Sequence, residues 1–148
     1  MNQIKDILVI NPGSTSTKIA VFAGDGEFRR FETNIVHDEA VILKFPDVAS
    51  QQEYRKEMIL SYLDEEGYEL HNLAAVVGRG GMVYGLSGGG YVVTETLCSR
   101  MASSDIPQQM CIRDRSWVLK CRNMLVKSLL IERSSYETFI FNSCDCRI

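Results

Sequence analysis

A short polar turn between two apolar runs constrains the fold of this 148-residue chain more than any other feature. The first run is Ile7-Leu-Val-Ile10, and the second begins at the end of the polar stretch Asn11-Pro-Gly-Ser-Thr-Ser-Thr-Lys18. Short apolar runs bounded by turn residues are typical of β-strands. We therefore predict strands at 4–10 and 17–23, joined by a turn at 12–16. Both faces of the second strand carry apolar residues, which indicates that both are covered.

The residues that follow extend this hairpin into a β-meander. Ala23-Gly-Asp-Gly26 has the composition of a hairpin turn, and it leads into a third strand predicted at 27–36. A short helix is predicted at 38–44, before Pro46. Three strands in sequence order, joined by tight turns, pair antiparallel with their neighbours.

The clearest helix signal lies at 51–66. Ser50-Gln-Gln-Glu53 matches a capping box at its start, and Gly67 stands where a left-handed C-terminal cap belongs. Its apolar residues recur at helical spacing on one stripe: Tyr54, Met58, Ile59, Tyr62 and Leu63. Such a stripe predicts packing against a core.

Two strands and a second helix complete the pattern. The apolar run at 73–77 predicts a buried strand, and a further strand at 91–94 precedes a helix at 95–103. The intervening loop at 78–90 holds seven glycines. This order of elements predicts an α/β fold in which a β-meander and helices share a mixed sheet.

Composition excludes several classes of function. The chain is 45% hydrophobic and 24% charged, as expected of a globular domain. Its net charge of −3 gives no basic surface for nucleic acid. No run has the length of a membrane span or a signal peptide, and five cysteines without secretory context do not indicate a disulfide scaffold. We expect a cytoplasmic protein without nucleic-acid or membrane partners.

The polar turn carries groups suited to an anion and its metal. Gly13 allows a close approach of the backbone, and the turn at 14–16 offers amide and hydroxyl donors. Lys18 adds a positive charge, and Asn11 offers an amide oxygen to a cation. A phosphate with its metal fits this set, although the helix-associated phosphate motif G-x-x-x-x-G-K-[ST] is absent. The alternative is an ordinary hairpin turn.

Two motifs resemble the acetokinase family, which lies within the actin-like and sugar-kinase ATPase superfold. "INPGSTSTKIAVF" matches the family pattern N-x-G-S-[ST]-S-x-K, with Pro12 and Thr17 as in its butyrate kinase branch. "AAVVGRGGMVYGLSGGGYVVTE" at 74–95 resembles the G-R-G-G segment of that branch, where acetate kinases carry a longer G-H-R-V-V-H-G-G. The resemblance covers residues 4 to about 107, and it is specific because both motifs occur in the right order and spacing.

The resemblance implies a ribonuclease H-like, actin-type ATPase half-domain with ATP and Mg²⁺ as cofactors. The implied activity is transfer of the ATP γ-phosphoryl group to a short-chain carboxylate, with butyrate giving butanoyl phosphate and ADP. Asn11 would help to place Mg²⁺, and Arg79 would be catalytic by holding the substrate carboxylate or the phosphoryl oxygens. The residues implied around the transferring phosphoryl group are Gly13, Ser14, Ser16 and Lys18.

Several alternatives stay open at this point. An acetate or propionate kinase is the nearest, and a non-catalytic actin-like ATP-binding module and a generic α/β domain are the others. Arg79 has an alternative too, as a solvated arginine of a glycine-rich loop. The family also implies that the parent enzyme is a homodimer.

The character of the chain changes near residue 110. All eleven glycines lie at or before Gly90, whereas four of the five cysteines lie at or after Cys111. Residues 1–110 have a net charge of −6 and residues 111–148 one of +3. Met110-Cys-Ile-Arg-Asp-Arg115 is also what the transposon end used in sequencing-library preparation encodes. We therefore predict an acetokinase-type N-terminal fragment at 1–107 and a foreign or frameshifted tail at 108–148.

Overall fold

The computed structural model describes residues 5–46, 49–79, 89–94, 96–97 and 137–142, the last of these and residues 49 and 79 by backbone alone. The strands are β1 (Asp6–Pro12), β2 (Ser16–Phe22), β3 (Arg29–Val36), β4 (Leu73–Arg79), β5 (Gly89–Val92) and β6 (Glu137–Asn142). The helices are α1 (Glu39–Ile42) and α2 (Gln52–Glu65), and short 3₁₀ turns occur at Ala49–Gln51 and Leu70–Asn72.

The six strands form one mixed sheet in the order β3-β2-β1-β4-β6-β5. β1, β2 and β3 are antiparallel neighbours, so the predicted meander is confirmed. β4 lies parallel to β1, β6 lies parallel to β4, and β5 pairs antiparallel with β6. The parallel step from the meander to β4 passes through α2, as a crossover connection requires.

The core lies between one face of the sheet and α2. Ile59 and Leu63 of α2 are fully buried against apolar side chains of four strands. Those strand residues are Leu8, Ile10, Ile19, Val21, Ile35, Leu73 and Val76. Met58 and Tyr62 are partly buried at its margin, so the predicted apolar stripe is confirmed. The other face of β2 carries Lys18, which is exposed. The prediction that both faces of β2 are covered is therefore confirmed in full only for the face that packs against α2.

The two ends of α2 differ in how well the sequence predicts them. At the C-terminus Gly67 has φ +67°, and the N–H groups of Gly67 and Tyr68 donate to the carbonyls of Asp64 and Leu63. This is the hydrogen-bond pattern of a Schellman motif, and it confirms the predicted cap. At the N-terminus the helix begins at Gln52, and the N-cap is Gln51 rather than Ser50. The Gln51 side chain makes no capping bond, because its amide oxygen accepts from Arg55.

The remaining predicted elements are confirmed only where the structure describes them. α1 is shorter than predicted and begins after Asp38, whose carboxylate accepts from the Ala40 N–H. Of the helix predicted at 95–103, residues 96–97 are helical, and the Leu97 N–H donates to the Thr94 hydroxyl. Most of the glycine-rich loop, at 80–88, lies outside the described residues, as does the stretch 98–136.

The helices of the described ranges include none that is long and apolar enough to cross a bilayer.

Candidate functional site

The turn between β1 and β2 is closed by short backbone hydrogen bonds. The Gly13 N–H donates to the Ser16 carbonyl at 2.7 Å, and the His37 N–H donates to the Thr15 carbonyl at 2.9 Å. A Cβ atom at Gly13 would lie 3.3 Å from the Ser16 carbonyl oxygen, which is tighter than ordinary packing. A side chain at this position would need the Ser16 carbonyl to shift by a few tenths of an ångström, so the close approach favours glycine.

Three of the predicted site residues share one face of this hairpin. Asn11 lies directly opposite Lys18 in the β1–β2 register. Ser16 is two residues before Lys18 on β2, so it lies on the same face, and Thr17 lies on the opposite face. Side chains directly opposite in an antiparallel pair have Cβ atoms about 4.5–5.5 Å apart. The hairpin thus brings an amide, a hydroxyl and an ammonium together.

Asn11 and Lys18 differ in how they are held. The Asn11 Oδ1 atom is buried and has no hydrogen-bond partner within the described part of the chain. The Lys18 ammonium lies 2.7 Å from the Glu32 Oε1 atom, and its hydrogen bond lowers the pKa of Glu32 below the ordinary value. The Lys18 side chain is half exposed, and exposed ion pairs are weakened by water. A ligand phosphate can therefore compete with Glu32 for Lys18.

The opposite side of the hairpin is held by Arg55, a fully buried residue of α2. Its Nη2 donates to the Ser14 carbonyl at 2.9 Å, and its Nη1 donates to the Ser16 carbonyl at 3.2 Å. Nη1 also donates to the Thr17 hydroxyl at 2.9 Å. The Gln51 amide oxygen accepts from Nε at 3.1 Å and from Nη2 at 3.0 Å. One guanidinium therefore links α2 to three residues around the turn, Ser14, Ser16 and Thr17.

His37 completes this buried network. Its Nε2 atom lies 2.7 Å from the Thr17 hydroxyl, and its ring packs against Tyr54. Burial, followed by the positive charge of Arg55, lowers the pKa of His37 to about 4. The imidazole is therefore neutral at neutral pH, and its Nδ1 is buried without a partner among the described residues. His37 therefore occupies a structural position within this buried network.

Arg79 is placed near the hairpin by the sheet. It is the last residue of β4, and Gly78 before it is opposite Ile10 of β1. Since the two strands are parallel, Arg79 and Asn11 end up at the same edge of the sheet. The structure describes the backbone of Arg79, and its side chain and the glycines at 80–81 lie outside the described part. The topology thus brings the backbone of Arg79 to the same edge of the sheet as the hairpin.

Sequence reasoning missed Arg55, Gln51 and Thr17 as parts of the site. The signal was present, because positions 51, 55, 59 and 63 recur every four residues on α2. The last two positions are the apolar core residues Ile59 and Leu63, so the stripe continues into a polar pair beneath the hairpin. A polar pair in line with a buried stripe indicates a buried hydrogen-bond network.

The fold is an α/β actin-type half-domain, as comparison with solved structures shows. An acetate kinase from Entamoeba histolytica matches with a TM-score of 0.54 at 13% identity, over 93% of this chain and 34% of that one. A propionate kinase from Francisella tularensis gives a TM-score of 0.55 at 12% identity, over 93% and 36%. An exopolyphosphatase from Cytophaga hutchinsonii gives a TM-score of 0.53 at 12% identity, over 96% of this chain and 54% of that one.

Sequence comparison narrows this class further. The chain is 44% identical over 92 residues to a probable butyrate kinase of Listeria monocytogenes serotype 4a, covering 62% of this chain and 25% of that protein. It is 40% identical over 99 residues to a probable butyrate kinase of Listeria welshimeri, covering 67% and 27%. The chain thus spans about a quarter of the length of these relatives. No family model matches. The predicted resemblance of the N-terminal part to butyrate kinases of the acetokinase family is confirmed.

Proposed function

We propose that residues 1–107 are the phosphate-binding part of a short-chain carboxylate kinase. The proposed reaction transfers the γ-phosphoryl group of ATP to a carboxylate oxygen of butyrate, which gives butanoyl phosphate and ADP. The observation that carries the proposal is the β1–β2 hairpin, where Asn11, Ser16 and Lys18 share one face beside a tight glycine turn. The relatives named as probable butyrate kinases support the same assignment.

The hairpin offers what phosphoryl transfer needs. Such transfer depends on positioning and on neutralising charge at the phosphoryl oxygens, and it needs little covalent help from the protein. The hydroxyls of Ser14 and Ser16 can donate hydrogen bonds to phosphate oxygens, and the Lys18 ammonium supplies a positive charge on the same segment. Gly13 lets phosphate oxygens approach the turn backbone.

The residues present also fit a magnesium ion. The described residues hold no cluster of three or more His, Cys, Asp or Glu side chains. Mg²⁺ in kinase sites takes few protein ligands and keeps water and phosphate oxygens in its shell. The buried, unpartnered Asn11 Oδ1 atom supplies one oxygen that can bind the ion or one of its waters. When bound, Mg²⁺ would neutralise charge on the nucleotide phosphates.

Arg79 is the proposed partner of the acyl substrate. A guanidinium fork suits a carboxylate because two parallel N–H groups meet two oxygens. Its position at the edge of the sheet beside Asn11 would place it between the butyrate carboxylate and the phosphoryl group. Butyrate is favoured over acetate and propionate because the loop reads G-R-G-G and because Pro12 and Thr17 are as in the butyrate kinase branch.

The test uses a chimera in which residues 1–107 replace the corresponding part of a Listeria probable butyrate kinase. Butanoyl phosphate is trapped with hydroxylamine and measured as the hydroxamate. We expect activity from the chimera with ATP, Mg²⁺ and butyrate, and none from the 148-residue chain alone. A folded chimera that forms no acyl phosphate would favour a non-catalytic ATP-binding module instead. A preference for acetate would transfer the assignment to an acetate kinase.

Two substitutions in the chimera separate the roles of the site residues. Arg79→Lys keeps the charge but loses the fork, so kcat/KM for butyrate should fall by roughly ten- to a hundredfold, the equivalent of about 1.5–3 kcal/mol. Lys18→Ala should instead raise the KM for ATP. The matched control for Arg79→Lys is Arg30→Lys, which lies beside Asp6 at the end of β1 opposite the turn. The matched control for Lys18→Ala is Lys44→Ala, which follows α1. If Arg79→Lys behaved like Arg30→Lys toward butyrate, the placement of the carboxylate would be wrong.

A further inference from the structure

The carbonyl groups around the β1–β2 turn accept hydrogen bonds from α2 and from the residue that follows β3. Arg55 donates to the Ser14 carbonyl at 2.9 Å and to the Ser16 carbonyl at 3.2 Å. The Thr15 carbonyl between them accepts from the His37 N–H at 2.9 Å. Three successive peptide groups of the turn therefore have fixed orientations.

Fixing a carbonyl also fixes the amide of the next residue. In a trans peptide the C=O and the following N–H point in opposite directions, and the described residues contain no cis peptide. The Thr15 N–H shares its peptide with the Ser14 carbonyl, so it points away from Arg55 and α2. The Ser16 N–H points away from His37, into the turn. Backbone N–H groups oriented in this way form a concave anion-binding surface.

Arg55 is itself held rigidly enough to impose this orientation. Its guanidinium donates twice to the Gln51 amide oxygen and once to the Thr17 hydroxyl, in addition to the two turn carbonyls. The side chain is fully buried, so water does not compete for these donors. A lysine would place one compact ammonium where a planar fork now reaches Gln51 and two turn carbonyls at once.

We propose that Arg55 is a positioning residue for the phosphate-binding turn. By holding the Ser14 and Ser16 carbonyls, it orients the turn amide of Thr15 and the Ser16 side chain toward the nucleotide phosphate without contacting it. The link to phosphate rests on the proposed function, whereas the control of turn geometry does not. The rival role for Arg55 is to hold α2 on the sheet, with no influence on the ligand.

Amide hydrogen exchange in the full 148-residue chain tests the control of geometry. Arg55→Lys should lower the protection of the Gly13 and His37 amides, which bond across the turn, by about tenfold or more. The control Arg30→Lys disturbs an ion pair with Asp6 at the other end of β1 and should leave these two amides unchanged. If the two amides were as well protected in Arg55→Lys as in Arg30→Lys, the proposal would be overturned.

A second pair of variants tests the same network if the Arg55 variant fails to fold. Thr17→Val removes the hydroxyl that accepts from Arg55 and keeps the shape, while Thr17→Ser keeps the hydroxyl. We expect Thr17→Val to reduce protection at Gly13 in the same direction as Arg55→Lys, and Thr17→Ser to reduce it less. The reverse order would contradict a network that acts through the hydroxyl.

Kinetics in the chimera test the link to phosphate. Arg55→Lys should raise the KM for ATP by about tenfold with the KM for butyrate unchanged. A merely structural role would lower the active fraction, so kcat would fall with both KM values unchanged, and that result would overturn the proposal. An inactive unsubstituted chimera would count against the kinase assignment alone, since the exchange experiment needs no activity.

Discussion

The two halves of the sheet differ in how far apart their neighbouring strands lie along the chain. On one side, β1, β2 and β3 follow one another directly and are tied to α2 by buried side chains. On the other side, β6 arrives from far along the chain and joins β4 and β5 through backbone pairing. Strands that follow one another directly can be predicted from local pattern and turn chemistry, whereas pairing between distant segments cannot.

The meander is fixed at both ends of β1. At the end that carries the turn, Arg55 connects α2 to the hairpin. At the other end, the buried Asp6 carboxylate accepts from the Tyr68 hydroxyl at 2.9 Å and pairs with Arg30 at 2.6 Å. Tyr68 follows the C-terminal cap of α2, so the helix is anchored to the sheet at both termini. Of these two anchors, the Arg55 network contacts the turn, and the Asp6–Arg30 pair lies at the opposite end of β1.

The largest expected effect concerns the core beneath the meander. Ile59 is fully buried between α2 and the sheet, so Ile59→Ala removes apolar contacts and leaves a cavity. We expect the free energy of unfolding in urea to fall by about 2–5 kcal/mol. The control Leu43→Ala, at a residue that is 75% exposed, should change it by about 0.5 kcal/mol or less. Equal effects would mean that α2 does not anchor the meander.

The second prediction tests the buried network through pH. The native pKa of His37 is about 4, below the ordinary value near 6.5, because burial and Arg55 oppose its protonation. Between these two pH values the unfolded chain binds a proton that the native protein does not. Stability is therefore full above about pH 6.5 and falls toward pH 4, by on the order of 2–3 kcal/mol.

His37→Gln provides the comparison for this pH dependence. Other groups titrate in the same range, so the quantity to measure is the difference between the two unfolding free energies at each pH. The variant should lack the histidine contribution, and the difference should shrink as the pH falls from 7 to 4. Parallel pH profiles would show that His37 is protonated freely in the native state.

The sequence predicts those parts of the fold that depend on neighbouring residues, and it misses those that depend on distant ones. The hairpin, the meander, the stripe of α2 and the cap at Gly67 follow from local pattern and turn chemistry, and each is confirmed. Arg55 lies in line with the apolar stripe of α2, but it was missed because an arginine on a helix is exposed in most proteins. Its burial depends on carbonyls and a hydroxyl that only the folded hairpin brings beneath α2. The clustering of Asn11, Ser16 and Lys18 was predictable because it lies within one short segment.

The strand β6 was not predicted from the sequence. Its sequence, Glu-Thr-Phe-Ile-Phe-Asn, is rich in residues that favour strands. It lies in the segment that the sequence predicts to be foreign. A strand-forming segment from any source can pair with the exposed edge of a sheet. The assignment of residues 108–148 as a foreign tail therefore stays a prediction.

The smallest expected effect comes from deleting that tail. Each hydrogen bond between β6 and the sheet contributes about 0.5–1.5 kcal/mol net, because water replaces it after deletion. Ordering each residue of the tail costs about 1–2 kcal/mol of backbone entropy, which offsets that gain unless selected side chains pack as well. A chain of residues 1–107 should thus unfold cooperatively, with stability unchanged or higher. A full-length control with the residues of 108–148 in scrambled order should match the natural chain. If the natural tail stabilised the protein and the scrambled one did not, or if deletion abolished cooperative unfolding, the tail would be a genuine part of the fold.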